Sequence, residues 1–156
     1  MDIRIRLGVE DLIAAYVAAI DDGRLEDWPN FFIEAGHYTI LTRDDFENGF
    51  SFGVISAQSR AMLIDRVTAL RQANIYEPHG YRHVVGPIRV ITVADGVAEA
   101  RSNFMVARIM KDGDTMLFVT GEYRDRIDVT SEPFRFVERL VITDSHKFDT
   151  LLALPL

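Results

Sequence analysis

The sequence contains no cysteine among its 156 residues. Disulfides, thiol nucleophiles, thiolate zinc sites and iron–sulfur clusters held by the chain's own cysteines are therefore excluded. Basic residues are also scarce, since 17 Lys and Arg stand against 24 Asp and Glu, for a net charge of −7. Nucleic-acid binding needs a basic face that neutralises phosphates, and anionic membrane surfaces attract basic segments, so neither partner is expected.

Long apolar runs are missing as well. No stretch approaches the roughly 18 apolar residues that a membrane span needs, and the start, Met1–Leu7, lacks the apolar core of a signal peptide. With 48% hydrophobic and 26% charged residues, the composition is that of a globular protein. We expect a soluble cytoplasmic protein that forms a single domain over residues 1–156.

The first half of the chain has a mainly helical period. Leu12, Tyr16 and Ile20 recur at a spacing of four, and Gly23 is a natural helix stop. The predicted helices cover residues 9–20, 25–32 and 56–73. The predicted strands of this half are His37–Leu41 and Phe50–Ile55, with a polar turn between them.

The second half changes to a strand period. Its predicted strands are Arg82–Val93, Val97–Met110, Thr115–Val129 and Phe134–Asp144. Asp95-Gly96 and Asp112-Gly113 are strong hairpin signals, because tight turns need a positive φ. Gly86-Pro87 should interrupt the first of these strands, since proline has no backbone N–H to donate to a neighbouring strand.

Helices followed by an antiparallel meander predict an α+β fold. Strands of about a dozen residues must twist and curl, and three helices in the concave side of the sheet would bury the apolar stripes. The expected architecture is a cystatin-like cone with a curved, mainly antiparallel sheet.

Two histidines four residues apart, His79 and His83, invite a metal-site interpretation. Pro78 and Gly80 oppose the helix that such a pair prefers, and the chain has neither an H-E-x-x-H motif nor a carboxylate cluster suited to iron. We therefore predict no metal ligand here. Histidines that make structural contacts are the simpler interpretation.

An enzyme remains the alternative hypothesis. A cone can enclose an apolar cavity in which Tyr16, Asp21 and His83 perform acid–base chemistry, as an isomerase or dehydratase would require. A buried carboxyl has a raised pKa, and a neighbouring tyrosine can stabilise an enolate. A cavity without such an acid–base pair would instead indicate a ligand-binding module.

Aromatic and arginine side chains also favour a subunit interface, where both types are enriched. The interface candidates are Arg66, Tyr76, His79, Tyr81, Arg82 and His83. The final segment, Leu151–Leu156, is almost wholly apolar. We expect it to dock on the chain's own core or on a neighbour.

Several of these segments resemble one family along the whole chain. They are Ala19–Phe32, Met62–Arg71 with Tyr81-Arg82-His83, Ser102–Phe104, Gly121–Asp125 and Glu138-Arg139. The family is that of the small (β) subunits of aromatic-ring-hydroxylating dioxygenases. Within it, Arg71–Glu77 and Asp149–Leu156 look most like the terephthalate dioxygenase and salicylate hydroxylase small subunits.

The resemblance implies a cystatin-like cone and a structural, non-catalytic subunit. It implies a large (α) catalytic subunit as partner, which carries a Rieske cluster and a mononuclear iron, in an assembly of three large and three small subunits. It also implies contacts with other copies of this chain, no cofactor in the chain itself, and an aromatic carboxylate as the substrate of the assembled enzyme.

Overall fold

The computed structural model describes residues 1–51, 53–73, 78–147 and 154–156. Its helices are α1 (Ile3–Asp21), a 3₁₀ helix (Leu25–Phe31), α2 (Arg43–Glu47) and α3 (Arg60–Ala73). Helix α1 begins earlier than its apolar stripe indicates, because Asp2 caps it by accepting a hydrogen bond of 2.9 Å from the Arg4 amide.

Seven strands form one sheet among the described residues. They are β1 (Phe32–Thr42), β2 (Ile55–Ala57), β3 (His79–Val85), β4 (Arg89–Ala94), β5 (Val97–Met110), β6 (Thr115–Asp128) and β7 (Arg135–Thr143). The order is β2-β1-β7-β6-β5-β3, and β4 pairs with the remaining length of β5. The pairing of β1 with β7 is parallel and the other pairings are antiparallel. The α+β cone expected from the sequence is confirmed, with a mixed sheet.

The turns and the strand break predicted from glycine and proline are present in this sheet. Asp95 and Gly96 have φ angles of 52° and 75° and form the two-residue turn between β4 and β5. Gly113, with φ 93°, lies in the longer turn between β5 and β6. Strand β3 ends before Gly86-Pro87, and β4 begins after it.

The predictions between residues 43 and 60 were partly wrong. The polar turn contains helix α2, which begins at Thr42 because the Thr42 hydroxyl accepts a hydrogen bond from the Asp45 amide. The strand predicted over Phe50–Ile55 is instead Ile55–Ala57; Phe52 lies outside the described residues. Helix α3 begins at Arg60, four residues later than predicted.

The core lies between the helices and the concave face of the sheet. Buried side chains of α1, such as Ile13 and Tyr16, belong to the same cluster as Trp28 and inward-facing strand residues. Trp28 packs edge-to-face on Tyr38, with ring centroids 5.1 Å apart. In the part of the chain that the structure describes, no helix is long and apolar enough to cross a membrane.

A surface ion pair joins the 3₁₀ helix to α3. Both carboxylate oxygens of Glu26 accept hydrogen bonds from Arg71, at 2.8 and 3.0 Å, and this contact lowers the pKa of Glu26 to about 2. The pair therefore stabilises the fold above pH 4.5, and its contribution falls as the pH drops towards 2.

Because both side chains of the Glu26–Arg71 pair are about half exposed, we expect Glu26→Gln to lower the free energy of unfolding at pH 7 by at most about 1 kcal/mol. Urea denaturation at pH 7 and at pH 3 should show the difference shrinking at the lower pH, and high salt should shrink it too.

Candidate functional site

Polar side chains converge on the concave face of the sheet. Alternation along the strands turns every second residue inwards, and several of these inward positions are polar or charged. They are Tyr38 on β1, His83 on β3, Tyr123 and Asp125 on β6, and Arg139 on β7. Helix α1 adds Tyr16 and its last residue, Asp21. The interior of the cone is therefore the natural place to look for a functional site.

Asp125 and Arg139 form a buried ion pair at the centre of this face. Two parallel hydrogen bonds of 2.8 Å join the guanidinium to the carboxylate, and both side chains are fully buried. Burial favours the neutral form of Arg139, but the charge and hydrogen bonds of Asp125 outweigh this effect and raise the arginine pKa above its usual value. Arg139 thus stays charged inside the protein.

Three aromatic rings surround the guanidinium of Arg139. Its central carbon lies 3.8 Å from the ring centroid of Tyr123, 4.3 Å from that of Tyr16 and 4.4 Å from that of Phe136. Ring faces attract cations, most strongly where water is excluded. The rings therefore help Asp125 to compensate for the lost hydration of the arginine.

Asp21 and His83 form a second buried pair. Asp21 Oδ1 lies 2.6 Å from His83 Nδ1, and Asp21 Oδ2 accepts a 2.9 Å hydrogen bond from the His83 backbone amide. Because an ionised carboxylate can only accept, Nδ1 carries the proton of this contact. His83 Nε2 is buried and has no hydrogen-bond partner among the described residues. The carboxylate attaches the end of α1 to strand β3.

We expect Asp21→Ala to lower the free energy of unfolding by about 1–3 kcal/mol, because it leaves two donors of His83 unsatisfied in a buried place. The neighbouring carboxylate Asp22 is exposed, and among the described residues its side chain makes only a long contact of 3.4 Å with Arg24. Asp22→Ala is therefore the matched control, with an expected change of no more than about 0.5 kcal/mol. Equal losses in urea denaturation of the two variants would contradict the proposed attachment.

The third alternative catalytic residue, Tyr16, is engaged elsewhere. Its hydroxyl donates a 2.7 Å hydrogen bond to the main-chain oxygen of Leu156 and accepts one of 3.2 Å from Trp28 Nε1. The structure thus brings Asp21 and His83 together but places the Tyr16 hydroxyl in a different hydrogen-bonded group. Leu156, which is fully buried, lies beside that hydroxyl in the interior.

The interface candidates fall on different surfaces. Tyr81 and His83 are buried on the concave side, whereas Arg82, between them, is exposed on the convex side. His79 and Arg66 are partly buried on β3 and α3, and Tyr76 lies outside the described residues. A role in subunit contact stays a prediction for these six residues.

No group of three or more His, Asp or Glu side chains in the described ranges is arranged to hold a metal ion. A Rieske cluster needs two cysteine ligands as well as two histidines, and this chain has no cysteine. The donor set of this chain therefore does not fit that cluster.

Comparison with known proteins identifies the family. Residues 1–140 match the SnoaL-like domain. The β2 subunit of the terminal oxygenase component of terephthalate 1,2-dioxygenase from Comamonas sp. is 43% identical over 143 residues, which cover 92% of this chain and 93% of that one. The chain belongs to the β subunits of aromatic-ring-hydroxylating dioxygenases. The small subunit of anthranilate 1,2-dioxygenase from Burkholderia cepacia is 34% identical to this β subunit, over 90% of this chain and 88% of that protein.

A solved structure carries the same assignment. It is assigned as the β subunit of an aromatic-ring-hydroxylating dioxygenase from Novosphingobium aromaticivorans. It superposes on this β subunit with a TM-score of 0.87 at 34% identity, over 96% of this chain and 95% of that one. The resemblance seen in the sequence is thereby confirmed, and the free-standing isomerase or dehydratase is not favoured.

Two features of the β subunit's interior were missed from sequence. One is the Asp125–Arg139 pair. Both residues lie at inward positions in strands whose side chains alternate between apolar and polar, and a charged residue at such a position is a sign that the sequence itself offers. The other is the set of hydroxyl groups that hold Leu156. The apolar character of residues 151–156 predicted docking, and the described part, Leu154–Leu156, docks on the chain's own core.

Proposed function

We propose that this β subunit binds a large catalytic subunit and supports the assembly of an oxygenase that hydroxylates an aromatic carboxylate. The observation that carries the proposal is the 43% identity to a terephthalate dioxygenase β subunit along nearly the full length of both chains. Anthranilate, like terephthalate, is an aromatic carboxylate, so the second relative points to the same substrate class.

The cofactors of such an enzyme would lie in the large subunit. A chain without cysteine cannot supply the thiolate ligands of a Rieske cluster. We therefore propose that the partner holds both the Rieske cluster and the mononuclear iron. The β subunit would act by contact, holding three catalytic subunits together with three copies of itself, so that the cluster of one large subunit faces the iron of the next.

The convex face of the sheet offers a surface for these contacts. Arg82 and Val84 point outwards from β3, and Val84 pairs with Met105 on β5. Val84 is 57% exposed and Met105 46% exposed, and apolar side chains next to an arginine are typical of interface centres. This arrangement supports Arg82 as the best placed of the six interface candidates.

Co-expression with the large subunit tests the proposal. The wild-type β subunit should co-purify with the large subunit as one complex of three plus three chains, measured by light scattering after gel filtration. Arg82→Ala should weaken this complex without removing iron from a large subunit that is already intact. Arg4→Ala is the matched control, because Arg4 is also exposed but lies on helix α1, away from the convex face of the sheet.

Two results would contradict the proposal. One is hydroxylation of an aromatic acid by the purified β subunit alone. The other is a complex whose stability is unchanged by Arg82→Ala combined with Val84→Asp, since that double variant places a charge on the proposed contact surface.

A further inference from the structure

Leu154–Leu156 lie inside the cone, although they form no strand or helix with the elements around them. Leu154 is 7% exposed, Leu156 is fully buried, and both belong to the main core cluster. A buried segment that makes no helix or sheet hydrogen bonds needs other hydrogen-bond partners for its main-chain N–H and C=O groups.

Side-chain hydroxyl groups hold the main chain of Leu156. Its oxygen accepts hydrogen bonds from Tyr16 at 2.7 Å and from Tyr38 at 3.1 Å, and its amide donates one of 2.9 Å to the Tyr38 hydroxyl. The two tyrosines precede Leu156 by 140 and 118 positions. Residues from α1 and β1 thus bind this short segment as they would bind a ligand.

Trp28 orients one of these hydroxyl groups. Its indole N–H donates to the Tyr16 hydroxyl at 3.2 Å, which leaves the tyrosine proton directed at the Leu156 oxygen. Burial raises the pKa of Tyr16 and of Tyr38, so both keep their protons at neutral pH. The donors are in place for any acceptor oxygen at this position.

Aromatic rings form apolar walls beside these hydroxyl groups, and the nearby charge of Arg139, 4.3 Å from the ring centroid of Tyr16, is paired with Asp125. Trp28 and Tyr38 pack edge-to-face on Phe32, with ring centroids 6.3 and 6.1 Å away. Apolar walls with a few fixed polar groups characterise ligand sites. Such a site favours a branched apolar side chain next to a main-chain oxygen and disfavours a charged side chain.

We propose that the interior of the cone is a binding site for a short apolar peptide, occupied in this chain by its own residues 154–156. The site is formed by Tyr16, Tyr38 and Trp28. The same site should therefore accept a Leu-Pro-Leu peptide supplied from solution when the chain's own copy is removed.

Deletion of Leu154–Leu156 from the otherwise full chain tests the proposal. Trp28 is the only tryptophan, so its fluorescence reports on this site alone. The emission should shift to longer wavelength on deletion, and acetyl-Leu-Pro-Leu should reverse the shift saturably. Acetyl-Asp-Pro-Asp should bind at least tenfold more weakly, and the undeleted chain should respond to neither peptide. A folded deletion variant that does not respond to acetyl-Leu-Pro-Leu overturns the proposal.

A second variant covers the case in which the deletion prevents folding. Leu156→Ala keeps the main-chain hydrogen bonds and removes most of one buried side chain. The resulting apolar space should bind benzene, so benzene should raise the melting temperature of Leu156→Ala but not that of the wild type. Leu117→Ala is the control, because Leu117 is 59% exposed. Equal responses of the two variants to benzene would overturn the proposal.

Discussion

Replacement of Asp125 by alanine should lower the free energy of unfolding by about 3–5 kcal/mol, because it leaves the charge of Arg139 buried and unpaired. Both side chains are fully buried, so water cannot replace the lost carboxylate without opening the core. The pKa of Arg139 is raised in the intact pair by the charge and hydrogen bonds of Asp125, which outweigh burial. A loss of this size is a large part of the total stability of a domain.

Two controls separate this effect from the loss of any carboxylate. Glu10→Ala removes the partner of Arg6 in a surface pair whose side chains are 37% and 58% exposed, and it should cost no more than about 0.5 kcal/mol. The double variant Asp125→Leu/Arg139→Met removes both buried charges and should recover most of the loss, because apolar residues can replace a buried pair. A double variant as unstable as Asp125→Ala in urea denaturation would contradict the assignment.

The position of this pair connects the two buried charges to the register of strands β6 and β7. Asp125 and Arg139 are register partners on the neighbouring strands β6 and β7. A shift of one residue between these strands would place the two charges on opposite faces of the sheet and leave the one in the core unpaired. The pair, together with the rings of Tyr16 and Tyr123 around it, therefore favours one register of β6 on β7.

The sequence predicted the local features of the fold well. The β4–β5 hairpin follows from Asp95-Gly96, and the break between β3 and β4 follows from Gly86-Pro87, because both depend on backbone preferences of single residues. The parallel pairing of β1 with β7 could not be read in the same way. It joins His37 to Glu138, and nothing local in either strand specifies so distant a neighbour.

In the interior site, too, the sequence indicated which residues are buried and polar but did not specify all of their long-range partners. Asp21 and His83 were chosen from the sequence as candidates for one cavity, and the structure brings them into contact across 62 positions. The role of Tyr16 differs from the one expected, because its hydroxyl binds Leu156. The residue type indicated a buried polar group, whereas its partner depends on where residues 154–156 pack.

High pH should unfold the protein steeply, because three of the four tyrosines that the structure describes are fully buried. Burial raises the pKa of Tyr16 and holds the pKa values of Tyr38 and Tyr123 well above the ordinary 10.0. Between pH 10 and these raised values the unfolded chain loses tyrosine protons that the folded protein keeps. Each tyrosine then lowers the free energy of unfolding by about 1.4 kcal/mol per pH unit.

Below pH 10 these contributions are constant, and above it the three together remove about 4 kcal/mol per pH unit. Tyr38→Phe removes one titrating group, so the slope of stability against pH should fall by about a third, whatever the variant's stability at neutral pH. The slope can be measured by urea denaturation at several pH values, and the tyrosinate absorbance of the native protein can be followed alongside. If all five tyrosines ionise near pH 10 in the folded protein, the three hydroxyl groups are not held in a closed interior, and the packing of Leu156 against two of them would have to be reconsidered.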